Sequence, residues 1–175
     1  MGAPLPLLIE PMQPEDIPAV LDIERASHVD PWRESFFVEE LSRPQALNLV
    51  ARSADDRRRI VGYICVWLVA DEVQIFNLAV DPAVRRRGVG RRLLLAALHK
   101  ACTQNARVAF LEVRRSNRPA QQLYESVGFR PSGLRPNYYE GIKEPAVLME
   151  LEMDRGWRSR WLFSDAGFMD GEGSC

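Results

Sequence analysis

The chain has 175 residues, of which 46% are hydrophobic and 27% are charged, and this composition is typical of one soluble globular domain. The 23 basic and 24 acidic residues nearly cancel, so the net charge of −1 excludes an overall field that would hold a nucleic acid or an anionic membrane. The longest apolar run, 60–70, is much shorter than the roughly 20 residues that span a bilayer, so we expect a cytoplasmic protein without membrane contact or direct nucleic-acid binding.

Apolar residues recur with the spacing of strands and amphipathic helices along most of the chain. Prolines and glycines mark several ends: Pro11 ends a strand, Pro44 ends a helix, and Gly128 is a predicted left-handed helix cap. In chain order the pattern predicts a strand at 5–10, helices at 14–26 and about 36–43, strands at 46–51, 60–69 and 72–80, a helix at about 89–104, a strand at 108–113, a helix at 117–127, and strands from 129 and at 147–153. This order predicts one mixed α/β sheet, with a helical crossover between 80 and 113.

The last part of the chain departs from this pattern. From Asp154 the sequence becomes a mixture of Arg, Trp, Gly and Asp without clear periodicity. We therefore divide the chain into a domain at 1–153 and a C-terminal tail at 154–175, which we expect to be loosely held. The aromatic residues of the tail leave two alternatives open, packing on the domain or forming an interaction site.

The cysteines and histidines lack the spacing of a metal site or a disulfide framework. Cys65, Cys102 and Cys175 are far apart and form no CxxC pair, and the two histidines form no HExxH motif. We therefore expect two buried thiols, one tail thiol and no metal.

A basic turn with two glycines lies between the predicted strand at 72–80 and the long helix. Residues 85–92 contain five arginines together with Gly88 and Gly90. The first amides of a helix have no partner within it, and glycines let an anion approach them closely. Basic side chains at a helix N-terminus oppose its dipole by about 0.3–1 kcal/mol each, a cost that a bound anion would offset. The alternative is a solvated helix start in which the glycines only form a turn.

This turn, together with a second motif, resembles the GCN5-related N-acetyltransferases. The motifs read Arg-x-x-Gly-x-Gly at 85–90 and Asn-x-x-Ala-x-x-Leu-Tyr-Glu-x-x-Gly-Phe at 117–129. The resemblance implies a three-layer fold with a splayed, mixed but mostly antiparallel sheet of about seven strands and about four helices. It also implies acetyl-coenzyme A (acetyl-CoA) as co-substrate. The residues implied in binding it are Leu78, Ala79, Val80, Arg85, Arg86, Arg87, Gly88, Val89, Gly90, Arg91 and Asn117; for Asn117, capping of its helix is an alternative or additional role.

Four segments also resemble the bacterial ribosomal-protein-alanine N-acetyltransferases, which acetylate the N-terminal alanine of the eighteenth protein of the small ribosomal subunit. They are His-x-x-Pro-Trp at 28–32, Leu-Glu-Val-Arg at 111–114, Ser-Asn at 116–117 and Arg-x-Asn-Tyr-Tyr at 135–139. The resemblance implies the N-terminus of a ribosomal protein, or another peptide, as partner of a monomeric enzyme. We expect the groove that binds this peptide to be walled by His28, Trp32, Tyr138 and Tyr139. The alternative is that these aromatic residues only fill the core, as aromatic residues near a break often do. The chain departs from the family at Glu-Pro-Ala, 144–146, where relatives have Glu-Asp-Ala.

Acyl transfer to an amine needs a group that takes a proton from the ammonium and one that protonates the leaving thiolate. Glu112, the only carboxylate on an apolar strand, is the candidate general base, and Tyr124 is the candidate general acid. The alternatives are a solvent-facing carboxylate and an aromatic anchor between helix and sheet. Two other functions also remain open, acetylation of a small-molecule amine and binding of CoA without catalysis.

Overall fold

The computed structural model describes residues 5–139 and 144–162, apart from the side chains of 137–139 and 162. The strands in these ranges are β1 (Leu7–Pro11), β2 (Ala46–Ser53), β3 (Ile60–Val69), β4 (Glu72–Val80), β5 (Val108–Arg114), β6 (Arg130–Tyr139) and β7 (Glu144–Glu152). The helices are α1 (Ile17–Ser27), α2 (Glu34–Ser42), α3 (Val89–Thr103), α4 (Arg118–Val127) and α5 (Arg155–Leu162).

The strands form one mixed sheet in the order β1-β2-β3-β4-β5-β7-β6. All neighbouring strands are antiparallel except β4 and β5, which are parallel and are joined by the crossover helix α3. The predicted mixed α/β class, the seven-stranded sheet and the crossover are thereby confirmed.

The sheet is split between its two parallel strands. β4 and β5 pair only at their starts, as far as Ile75 and Leu111. At this point the ladder between β3 and β4 skips Phe76, which forms a β-bulge. Beyond the bulge β4 pairs with β3 and β5 pairs with β7, so their facing edges diverge. This divergence is the splay that the family resemblance implies.

Helices cover both faces of the sheet and give three layers. On one face, Leu93 of α3 and Val127 of α4 belong to a large apolar core. On the other face, Val20 of α1 and Phe37 of α2 pack over a second core. Helices α1 and α3 bury stripes of apolar residues at helical spacing, which is the signal that predicted them from sequence.

The segment Arg155–Leu162 corrects the prediction of a loosely held tail, because it is a helix that packs on the domain. Trp157 is only 8% exposed, and its indole N–H donates to the backbone oxygen of Val127 at 2.8 Å. Arg158 donates to two further backbone oxygens. The contacts with Val127 and Ala106 join residues distant in sequence, so local periodicity could not reveal them. The rest of the predicted tail, 163–175, lies outside the described residues.

Two further findings concern the described ranges as a whole. None of their helices combines the length and the apolar character of a membrane span. The same ranges contain no group of three or more His, Cys, Asp and Glu side chains that is placed to hold a metal ion.

Candidate active site

A cleft with a volume of about 800 Å³ opens where β4 separates from β5. It lies between the second half of β4, the turn before α3, the end of α1 and one face of α4. The predicted site residues that line it are His28, Leu78, Ala79, Val80, Arg85, Arg86, Gly88, Val89, Gly90, Arg91, Asn117 and Tyr124. Sequence analysis missed Ser27, Pro119, Ala120, Gln122, Leu123 and Ser126, which also line the cleft. Helical spacing from Asn117 and Tyr124 could have identified several of the α4 residues.

The turn before α3 has two residues in the left-handed conformation. Arg86 has a φ of 64° and Gly88, the N-cap of α3, has a φ of 81°. The turn is anchored by Asp81, whose side chain accepts from the backbone N–H of Ala83 at 2.9 Å, and by the buried Val84. The first amides of α3 therefore lie at the cleft without partners inside the helix, as an anion site requires.

Gly90 has a role that the sequence did not reveal. A Cβ atom at this position would lie 3.3 Å from Leu123 of α4 and 3.4 Å from Val80 of β4. The missing side chain therefore allows α3, α4 and β4 to meet at the floor of the cleft, in addition to exposing backbone.

The five arginines of the turn do not all line the cleft, where an anion would bind. Arg92 donates to the backbone oxygens of Leu5 and Leu7 and so fastens the N-terminal strand. Arg85 lines the cleft but donates to Val80 O at 3.1 Å and to Ser27 Oγ at 2.9 Å. Arg86 and Arg91 line the cleft, whereas Arg87 does not. Part of the basic cluster thus stabilises the fold around the turn.

Asn117 caps α4 and also lies at the cleft, so its position suits both of its predicted roles. Its Oδ1 accepts from the backbone N–H of Ala120 at 3.2 Å, which caps α4, and the residue also lines the cleft.

Tyr124 reaches the cleft from α4. The residue is 8% exposed, and its ring meets Phe129 edge-on with centroids 5.8 Å apart. Tyr124 is thus both an anchor between helix and sheet and a phenol at the cleft.

Glu112 lies on the opposite face of the split sheet and does not line the cleft. Its neighbours Leu111 and Val113 point into the core beneath α3, so Glu112 points to the other side of the sheet. The side chain is 17% exposed, with Oε1 3.0 Å from Arg135 Nη1 and Oε2 buried without a hydrogen bond to the described residues. It is therefore not a simple solvent-facing carboxylate, and the two candidate proton-transfer residues lie on opposite faces of the split.

A buried carboxylate that sequence analysis did not select organises the segment between α1 and α2. Glu24 is 1% exposed, and its oxygens accept from Trp32 N at 2.7 Å, from Asn77 Nδ2 at 3.2 Å and from the Tyr63 hydroxyl. His28 Nε2 lies 3.4 Å from the same carboxylate. Of the two residues of this segment that we predicted to bind the peptide substrate, Trp32 is held by Glu24 through its backbone N–H, and His28 lies beside the carboxylate. His28 lines the cleft and Trp32 does not.

Burial and the nearby Glu24 carboxylate raise the pKa of Tyr63, so this phenol stays protonated and keeps donating at physiological pH. A signal for Glu24 exists in the sequence. It follows Val20 by four residues and Ile17 by seven, which places a charge on the apolar stripe of α1.

The other residues that we predicted to bind the peptide substrate lie at the end of β6. Tyr138 and Tyr139 belong to this strand, but their side chains lie outside the described residues. At the start of β7, Glu144 Oε1 accepts from Ser116 N at 2.6 Å. Hydrogen bonds from the side chain and the backbone of Ser116 lower the pKa of Glu144. Pro145 falls where the ladder between β6 and β7 is irregular, and its oxygen accepts from Arg115 N. The departure from the family sequence therefore sits at a break in the sheet.

The thiols of the described ranges are not placed as nucleophiles. Cys65 and Cys102 are buried and free, as the sequence predicts, and burial raises the pKa of both. Cys175 lies outside the described residues.

Comparison with known proteins identifies the family. The model of the acetyltransferase (GNAT) family matches residues 17–129. The ribosomal protein bS18-alanine N-acetyltransferases of Salmonella typhimurium and Haemophilus ducreyi are 40% and 35% identical to this chain, over 78% and 82% of it and 90% and 99% of their own lengths. The crystal structure of the Escherichia coli ribosomal-protein-S18-alanine N-acetyltransferase has 33% identity and a TM-score of 0.77, over 85% of this chain and 94% of that one. Ard1 from Thermoplasma volcanium has 28% identity and a TM-score of 0.75, over 83% and 97%. The chain therefore belongs to the acetyltransferase (GNAT) family and is an acyltransferase.

Proposed function

We propose that this enzyme transfers the acetyl group of acetyl-CoA to the α-amine of the N-terminal alanine of ribosomal protein bS18. The observation that carries the proposal is the cleft at the split of the sheet, which joins a helix N-terminus, a free strand edge and a phenol. The similarity to relatives named for this substrate supports the choice of acceptor. This acceptor would place the reaction in the cytoplasm, and since one chain supplies every proposed group, we propose a monomer.

The residues around the cleft fit a long, flexible ligand with a diphosphate at one end. The first amides of α3 and the side chains of Arg86 and Arg91 would bind the phosphates. The edge of β4 at Leu78, Ala79 and Val80, which has lost β5 as a neighbour, offers backbone groups to an extended amide-containing arm.

In this proposal the two proton-transfer groups would lie on either side of the acyl carbon, because Glu112 and Tyr124 lie on opposite faces of the split sheet. The amine would approach from the face of Glu112, which takes a proton from the ammonium directly or through one water. The free amine attacks the thioester carbonyl, the carbon–sulfur bond breaks, and Tyr124 donates its phenolic proton to the departing thiolate. The proton that the nitrogen loses as it becomes an amide passes through solvent and restores the phenol. Direct attack needs no enzyme nucleophile, which agrees with the buried state of Cys65 and Cys102.

An α-amine needs less from the general base than a lysine does. With a pKa near 7.7, roughly a sixth of N-terminal amines are uncharged at pH 7, compared with about one in 2,500 lysine side chains. The ratio of about 400 gives the N-terminus a large kinetic advantage as acceptor.

A peptide panel tests this function. The purified enzyme and acetyl-CoA are incubated with a peptide that begins with alanine, and with the same peptide blocked at its α-amine but carrying an internal lysine. Free polyamines and amino acids form the third arm. We expect turnover of the open peptide only, and faster turnover of the free amines would instead support the small-molecule alternative.

A second measurement separates an enzyme from a module that only binds CoA. Calorimetry with CoA reports binding, and the release of free thiol from acetyl-CoA in the presence of peptide reports transfer. If the protein binds CoA but the open alanine peptide causes no release of free thiol, the proposed reaction is rejected.

A further inference from the structure

Helix α5 reaches the start of α3, where the candidate phosphate site lies. The guanidinium carbon of Arg91 lies 4.8 Å from the ring centroid of Trp161, within the range of a cation–π contact. Arg91 also lines the cleft. One side chain of α5 is therefore in direct contact with the guanidinium of a residue that lines the cleft.

The helix that carries Trp161 is fixed by contacts of its own. Trp157, one turn earlier, is buried and bonds to the end of α4. Its indole lies within 3.4 Å of where a Cβ of Gly128 would be. Arg158 donates to the backbone oxygen of Ala106, between α3 and β5, at 2.7 Å. Trp161 is thus presented from a docked helix.

Stacking on an aromatic ring leaves a guanidinium able to bind an anion. The N–H donors of Arg lie in the plane of the group, so a ring against one face does not use them. An unsupported arginine must give up rotational freedom when it binds a ligand, and a stacked one has already lost part of it. The contact therefore prepares Arg91 for a phosphate.

We propose that Trp161 is a positioning residue for the co-substrate: it holds Arg91 at the cleft so that the guanidinium pairs with a phosphate group of acetyl-CoA. This inference rests on the proposed function. It gives the C-terminal helix, which the sequence assigns to a tail, a part in co-substrate affinity.

Two substitutions of Trp161 separate the aromatic face from simple packing. Trp161→Leu keeps an apolar side chain but has no π face, and Trp161→Phe keeps an aromatic ring. Calorimetry with CoA should show a dissociation constant about two- to five-fold weaker for the leucine variant, the range given by a partly exposed cation–π contact. The phenylalanine variant should lie closer to wild type. Arg155→Ala removes a charge from an exposed position of the same helix and should leave the affinity unchanged.

A double-mutant cycle tests whether Trp161 acts through Arg91. Arg91→Ala should weaken CoA binding, and Trp161→Leu should then have no further effect. In steady-state assays the KM for acetyl-CoA should rise in Trp161→Leu while the KM for the peptide stays constant. Thermal unfolding checks that each variant is folded, and Trp161→Met, which also lacks a π face, replaces the leucine variant if that one is not folded.

Three results would overturn the inference. They are an unchanged CoA affinity in a folded Trp161→Leu variant, an equal loss in the Arg91→Ala background, and an equal rise of both KM values. If the wild-type enzyme itself binds no CoA, the proposed function fails first, and this outcome is distinct because it does not depend on Trp161.

Discussion

Tyr124 is the residue at which the proposed chemistry can be separated from packing. Tyr124→Phe removes only the hydroxyl and keeps the ring that packs against Phe129. We expect kcat to fall about 10²-fold or more, because the leaving thiolate loses its proton donor, while the KM for acetyl-CoA stays nearly constant. Steady-state kinetics with the alanine peptide measure both parameters. A kcat within a factor of two of wild type would show that Tyr124 serves only as an anchor.

Glu24, unlike Tyr124, does not line the cleft, and it acts by holding the segment between α1 and α2. Glu24→Ala leaves the hydroxyl of Tyr63, the amide of Asn77 and the backbone N–H of Trp32 without their acceptor. Buried groups left unsatisfied cost about 1–3 kcal/mol each, so the free energy of unfolding should fall by about 3 kcal/mol or more. Urea denaturation measures this loss.

The same Glu24 variant should affect the two substrates differently. In the proposed reaction the segment that it fixes contributes to acceptor binding, so the KM for the peptide should rise more than the KM for acetyl-CoA. Tyr63→Phe is the matched control, since it removes one donor and leaves the carboxylate bonded to Trp32. Equal changes in both KM values would mean that Glu24 supports the fold without a preference for the acceptor side.

At the scale of elements, the turn before α3 depends on backbone conformation more than on space. Gly88 has a φ of 81°, and a Cβ there would meet no atom within 4 Å. Gly88→Ala should therefore cost about 1–2 kcal/mol through the left-handed conformation alone. In the proposed reaction the expected result is a higher KM for acetyl-CoA, because relaxation of the turn moves the amides that would bind the phosphates.

Gly156→Ala is the control for this substitution, since Gly156 lies in α5 without a positive φ and its Cβ would make only ordinary contacts. It should change neither KM nor stability by a comparable amount. If Gly88→Ala alters the unfolding midpoint but not the KM for acetyl-CoA, the turn is not the phosphate site.

The same scale explains which elements the sequence could predict. β3 and β4 begin and end at the predicted residues because charged or proline-containing turns bound them, around a continuous apolar run in β3 and a mixed run of apolar and polar residues in β4. The split of the sheet, in contrast, was expected only from the family resemblance, and the bulge at Phe76 that accompanies it was not predicted, because no periodicity encodes it. Glu24 was missed as a site residue because helical spacing alone reads its position as one more member of a stripe.

At the scale of the whole molecule, the error over α5 has a physical cause. A helix of eight residues is too short to be stable by its own propensity, and this one contains a glycine and three arginines. Its stability comes from distant partners, above all the backbone of Val127 and the oxygen of Ala106. A method that reads only local pattern assigns such a segment to a tail.

The domain therefore includes residues beyond 153, and Trp157 tests how much they contribute. Trp157→Ala removes a buried ring and leaves the backbone oxygen of Val127 without its indole donor. We expect a loss of about 3–5 kcal/mol in the free energy of unfolding, and since about 1 kcal/mol shifts Tm by 2–4 °C in a chain of this size, Tm should fall by about 6–20 °C. Calorimetric unfolding measures both, with Arg155→Ala as control on an exposed face of the same helix. An unchanged Tm in Trp157→Ala would show that α5 does not contribute to the stability of the domain. The expected loss would show that the helix is part of the structure that supports the cleft.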